Sequence, residues 1–242
     1  MVPYLVFAHL VLSFIWVETG ANPADYPSRF NPIPPPLPCP MWLRSFGMGI
    51  RRNIGWELFA GSARLTSAHI HAGIHMLDPV DIIYGSDVLS PNIDDTILMR
   101  LLLWLWMAPP GGSFSPLRNL DHGGPLRPRG NPQGDESNWE IARGNQLWRR
   151  ALELAHTCLS LGIFFFIEHP RGSKAWQLPE TRRLMNRPGV FLAEVHWCMY
   201  DENRVGDPNK KPTRVLTSAP WFKKLVRVCD RSHHHGPPLR GK

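Results

Sequence analysis

Several short stretches hold residue types that could do chemistry, and their order along the chain matters. The first is Glu57-Leu58-Phe59-Ala60-Gly61-Ser62-Ala63-Arg64-Leu65-Thr66, where an acidic, apolar run meets a small-residue turn and a helix-like pattern follows. Glycine lets a backbone approach a ligand closely, and the first N–H groups of a helix are free to bind it. Asp78 comes 17 residues after Gly61. That is close to the spacing of about 20 at which an acid at the next strand's end accepts ribose hydroxyls. A carboxylate suits a vicinal diol because it accepts two hydrogen bonds at once. The plainer alternative for Asp78 is a turn residue before Pro79. Asp87, in Gly85-Ser86-Asp87, is a second loop acid.

Two further stretches sit where strands should end. Pro109-Pro110-Gly111-Gly112-Ser113-Phe114-Ser115 is a rigid-then-permissive loop after an apolar run, at the sheet edge where open α/β proteins bind ligands. Glu168-His169-Pro170 follows a second apolar run and should reach the same edge. Glu168 either offers a carboxyl to a ring nitrogen in a dry pocket or bonds loop amides. Arg214, taken by itself, reads as a surface or phosphate contact. No metal site is expected. The nearest ligand set is Cys198, Cys229, His233 and His235, without the paired Cys-x2-Cys spacing of structural zinc sites.

These residues need a framework that alternates strands and helices. The patterns predict a strand at 55–59, a helix over 62–72 with Leu65, Ala68 and Ile70 inward, and a strand at 74–77. A helix over 92–99 follows, then Leu101-Leu102-Leu103-Trp104-Leu105-Trp106-Met107, a run apolar enough to be buried on both faces. Residues 116–140, broken by proline and glycine and carrying Arg118, Arg127 and Arg129, read as a substrate-contacting lid. The clearest helix runs 140–161, with Ile141, Leu147, Ala151, Leu154, Ala155 and Cys158 on one face. Strands at 162–167, 190–195 and 215–217 complete the set, with a short helix over 173–186 interrupted at Pro179. The expected fold is α/β: a three-layer, doubly wound, largely parallel sheet with N-terminal and C-terminal extensions. The expected divisions are 1–40, a remnant and proline-rich linker; 50–200, the ligand-binding domain; and 201–242, a basic extension.

Charge is uneven. The chain of 242 residues carries +7, yet residues 204–242 hold ten Lys/Arg against Asp207 and Asp230, so the rest is nearly neutral. A basic extension beside a neutral domain suits a polyanion, DNA first, or is simply a solvated tail. Four widely spaced cysteines imply reduced thiols in the nucleus or cytoplasm. No uncharged apolar run reaches the roughly 18 residues a membrane span needs, so no membrane partner is expected. Residues 1–17 are apolar and lack a basic start; a strand pair fits them better than a signal peptide.

The ordered motifs resemble the S-adenosylmethionine-dependent DNA methyltransferases, the cytosine-5 branch in particular. The match covers roughly 57–217. The resemblance implies a Rossmann-like methyltransferase fold with S-adenosyl-L-methionine as cofactor. It places Glu57, Phe59 and Gly61 in the cofactor loop, Asp78 at the ribose and Asp87 at the adenine amino group. Pro109, Pro110 and Ser113 fall in the catalytic Pro-Pro-Cys-x-x-Phe-Ser loop. Glu168 falls where a carboxyl engages the flipped base, and Arg214 where an arginine lines its pocket. Glu168-x-Pro170 with Ser173 and Trp176, then Cys198-Met199-Tyr200 and Lys211-x-Thr213-Arg214, is similar to methyltransferase-like domains of retroelements. Asn22-Pro23-Ala24-Asp25 with Ser28-Arg29 resembles the C-terminal end of retroelement ribonuclease H domains, whose acidic metal ligands mostly lie upstream. That implies a ribonuclease H remnant without nuclease activity. One departure is chemical: Gly111 stands where the family has its nucleophilic cysteine. The expectation is therefore a methyltransferase-like protein whose catalytic step is in question, with a non-catalytic nucleic-acid-binding module or a decayed element fragment as the alternatives.

Overall fold

Strand β1 (Tyr4–Phe7) and strand β2 (Leu10–Ser13) form an antiparallel hairpin with Tyr4 opposite Ser13, so the N-terminal apolar run does contain a strand pair. The computed structural model describes residues 4–7, 10–13, 54–99, 102–115, 126–128, 130–200 and 207–236. The 22–29 string, Cys39, the linker at 41–53, Arg118 and Arg129 lie outside the described residues. The chain divides into two units, the first reaching Trp106 and the second starting at Met107.

In the first unit, β3 (Ile54–Leu58) lies between β4 (His75–Met76) and β5 (Leu102–Met107), and the β3–β4 pair is parallel. Helix α1 (Arg64–His71) connects β3 to β4, and α2 (Asn92–Met99) precedes β5. Leu102, Trp104, Leu105 and Trp106 are all buried, as a run apolar on both faces requires. A side chain at Gly55 would place its Cβ 2.2 Å from the Trp104 ring. Glycine there lets the indole lie against β3. The sequence placed Leu65, Ala68 and Ile70 inward on α1, yet these are only half-buried. Thr66 and His69 are the buried residues. Thr66 is drawn in by a hydrogen bond to Glu57, and the His69 ring packs 4.9 Å from Trp104.

In the second unit, β8 (Pro212–Thr217) lies between β6 (Phe164–Pro170) and β7 (Phe191–His196), antiparallel to both. Among the described residues, six strands of the larger sheet and four α-helices make the fold α/β. Strand pairing is mixed: parallel at β3–β4 and antiparallel along β8. Helix α3 (Trp139–Ser160) starts at Asn138, whose side chain accepts from the Glu140 and Ile141 N–H groups. Its buried stripe is Ile141, Asn145, Trp148, Ala151, Leu152, Leu154, Ala155 and Cys158, while Leu147 is only half-buried. The Trp148 indole N–H donates to Thr181 Oγ1 at 2.8 Å, tying α3 to α4 (Pro179–Met185). Pro179 begins α4 instead of interrupting a longer helix, because the first helical position needs no N–H.

Candidate functional site

The first unit positions the five residues expected at the cofactor. After β3 the chain turns through Phe59, Gly61 and Ala63, all with positive φ (55°, 52° and 50°). Two of these are not glycine, so the turn is strained and its surroundings must hold it. Glu57 does part of this: its buried carboxylate accepts from the Thr66 N–H at 2.7 Å and from the Thr66 hydroxyl at 2.6 Å. The Gly61 N–H donates to Asp81 Oδ2 at 2.9 Å. Glu57 and Gly61 thus brace the turn.

Asp78 and Asp87 share a different place. Both are exposed, and both line a cleft of about 410 Å³ with Trp56, Pro79, Val80 and Ile93. The Trp56 indole N–H donates to the Asp78 carbonyl at 2.8 Å, which fixes that corner to β3. Val80 continues the parallel alignment with Leu58, so the cleft opens beyond the C-terminal end of β3. Asp87 accepts the Leu89 N–H at 3.0 Å and shapes its own loop. Glu57, Phe59 and Gly61 do not line this cleft. Asp81 was missed by sequence reasoning; only its place before Ile82-Ile83, where its side chain caps a short 3-10 helix, could have signalled it.

The second unit holds the Pro-Pro loop and Glu168. Ser113 Oγ accepts from Arg127 Nη2 at 2.8 Å, and the Ser113 carbonyl accepts from Arg127 Nε at 3.0 Å. Arg127 is 1% exposed and also donates to the carbonyls of Pro132 and Gln133 and to Asn145 Oδ1, each at 2.8 Å. Its guanidinium lies 3.6 Å from the Phe114 ring centre. Burial among neutral acceptors lowers its pKa to about 10, with the charge of Glu136 opposing the fall. Arg127 is therefore the internal strut of the 126–138 segment. This corrects the lid reading at that residue: it faces the protein and not a substrate. Residues 116–125 of the expected lid lie outside the described residues.

His169 is 2% exposed and surrounded by Trp148, Phe114 and Trp176, at ring distances of 4.9, 5.9 and 6.0 Å. Neither ring nitrogen has a well-formed hydrogen bond. Burial lowers its pKa to about 4, and the nearby carbonyls of Pro110 and Pro109 offset only part of that. The imidazole lies against Gly111: a Cβ added to Gly111 would stand 3.5 Å from His169 Nε2.

Glu168 is not at a strand end. It is the fifth residue of β6, because β8 pairs with β6 as far as Pro170 opposite Thr213. Opposite residues in an antiparallel pair share a sheet face, so Glu168 goes with Val215, and Arg214 goes with His169 on the other face. Each has its own partner. Lys211 Nζ donates to Glu168 Oε1 at 3.2 Å, while Arg214 Nε lies 3.6 Å from Glu194 Oε2. Glu194 also meets Arg171 and His196; burial alone would raise its pKa, and these neighbours bring it below the ordinary value. Glu168 and Arg214 therefore do not form a pair, and Ser113 belongs to Arg127. The other four residues singled out at the sequence level do converge: the ligand atoms of Cys198, Cys229, His233 and His235 all lie within 4.8 Å of one another. Cys158, Cys198 and Cys229 are all free thiols. Among the described residues no helix is long and apolar enough to cross a membrane. No protein-family model matches the chain, and no curated protein matches it either.

Proposed function

We propose that this chain is an S-adenosylmethionine-binding, DNA methyltransferase-like protein of retroelement kinship, with a Rossmann-like doubly wound plan, that cannot form the covalent cytosine intermediate. One observation carries the reading: Asp78 and Asp87, the two acids matched to ribose and adenine, line a single cleft. Its volume, about 410 Å³, falls in the range of small-ligand pockets, about 300–1,000 Å³. Trp56, Val80 and Ile93 supply apolar wall for a base, and the acids supply acceptors for a diol and an amine. The nucleoside half of the cofactor therefore fits these residues. The cofactor, when bound, would supply an activated methyl group.

Glu57 and Gly61 act indirectly in this reading, by holding the strained turn that carries β3 toward the cleft. Gly111 has no side chain to attack a pyrimidine, so the covalent route is closed to this chain. DNA is the proposed partner, through the basic residues of the C-terminal extension. A thermal-shift series with S-adenosylhomocysteine tests the cofactor step. Wild-type protein is expected to be stabilised, and Asp78→Ala and Asp87→Ala to lose most of the shift. Equal shifts in all three proteins would overturn the assignment of the cleft.

A further inference from the structure

Cys198 and Cys229 are 31 positions apart in sequence, and His233 and His235 follow Cys229 closely. Folding brings one ligand atom from each within 4.8 Å of the others. Cys229 Sγ lies 3.4 Å from His235 Nε2 and 3.8 Å from His233 Nε2. A tetrahedral zinc site with zinc–sulfur bonds of about 2.3 Å and zinc–nitrogen bonds of about 2.0–2.1 Å has sulfur–nitrogen edges of about 3.6 Å. The two sulfur–nitrogen distances bracket that value, and the widest spacing in the set, at most 4.8 Å, would close by up to about 1 Å on binding. We propose that these four residues form a Cys2His2 structural zinc site.

The surroundings are those of a built site. Cys198 is buried directly after β7, in the short 3-10 helix Trp197–Tyr200. The Cys229 N–H donates to His196 Nδ1 at 3.1 Å, and His196 Nε2 contacts Glu194 at 2.9 Å. His196 is thus already bonded at both nitrogens, and it holds Cys229 in place. The Arg231 N–H lies 3.4 Å from Cys229 Sγ and helps fix the position of the sulfur. Arg231 adopts φ of 66°, and Asp230 accepts from the Ser232 N–H at 2.9 Å, so the loop turns back to present His233. All four protein ligands fill the coordination shell and leave no open position, which marks a structural and not a catalytic zinc.

The site clips three segments of the second unit: the end of β7, the 229–235 loop, and Asp207–Asn209, which Gly236 meets through its N–H to the Pro208 carbonyl. Next to Cys198, the Trp197 indole donates to Thr213 Oγ1 at 3.0 Å and lies beside Lys211, the partner of Glu168. Zinc therefore fixes the strand-side setting of Glu168, independently of what the cleft of the first unit binds.

Metal analysis of the full chain, purified without chelator, is the test. One zinc per chain is expected in the wild type, and none is expected in Cys229→Ser. His235→Gln tests a half-buried ligand whose loss leaves the core untouched. Cobalt substitution is expected to give thiolate-to-cobalt charge-transfer bands and intense tetrahedral bands, absent from both variants. A thiol-specific mercurial should release zinc as it titrates Cys198 and Cys229. Wild-type protein with no stoichiometric zinc after refolding in its presence would overturn the proposal. So would thiols freed only by a reductant, which would mean a Cys198–Cys229 disulfide, or cobalt spectra unchanged in the variants.

Discussion

Acidification should destabilise this protein through His169. In the unfolded chain the imidazole takes up its proton near pH 6.5; in the folded protein burial holds that back to about 4. Unfolding therefore binds a proton between those values, and stability falls as pH drops through the window. Each unit of difference corresponds to about 1.4 kcal/mol, so the full loss is on the order of 3 kcal/mol, about three quarters of it reached by about pH 4.5. Against a typical folding stability of about 5–15 kcal/mol this is a large fraction. His69, whose pKa is also lowered by burial, pulls in the same direction, so wild-type behaviour alone does not isolate His169. His169→Phe does, because it keeps an aromatic ring against Trp148 and Trp176 and removes the titration; His169→Leu is a second variant with the same expectation. Urea unfolding between neutral pH and about 4.5 is the assay. The wild type is expected to lose roughly 2–3 kcal/mol more than either variant over that range. Parallel pH profiles in wild type and variants would refute the reasoning.

The packing around Arg127 gives further expectations. Arg127→Ala strands the buried acceptors of Ser113 and Asn145 at about 1–3 kcal/mol each, takes a donor from the half-buried carbonyls of Pro132 and Gln133, and should abolish a cooperative melt of the second unit. Arg127→Lys keeps the charge but not the fork of donors, and should lower Tm severely as well. Gly144→Ala, which would stabilise an exposed helix by about 1 kcal/mol, should instead destabilise, because its Cβ would stand 2.4 Å from Ser113 Oγ. Gly111→Cys should fold with Tm changed by no more than a few degrees, since Gly111 has φ of −83° and an added Cβ meets nothing closer than 3.5 Å. Wild-type protein should form no covalent adduct with fluorocytosine-containing DNA, as read by denaturing electrophoresis.

Long periodic segments were legible because their signal repeats. Helix α2 has the bounds the sequence suggests, and α3 is displaced by one residue. Side-chain roles were less legible where a polar contact outweighs apolar patterning. On α1 the Glu57–Thr66 hydrogen bonds turn a threonine inward past leucine and isoleucine. Arg127 gives no local signal at all, because its acceptors are carbonyls and an amide up to 18 residues away. Glu168 was read as a strand-end acid because the apolar run stops at Ile167, yet pairing with β8 extends β6 to Pro170. The four thiol and imidazole ligands lack a paired spacing, and only the fold brings Cys198 to the others. Asp78 and Asp87 come from the sequence alone, and what the structure adds is that they share a cleft.

Isothermal titration of the full chain with S-adenosylhomocysteine tests the central claim most directly. The expected result is one site per chain, weakened about 10- to 100-fold by Asp78→Ala, as loss of a charged hydrogen bond worth about 1.5–3 kcal/mol implies. No heat of binding at high micromolar ligand, from protein that melts cooperatively, would contradict it.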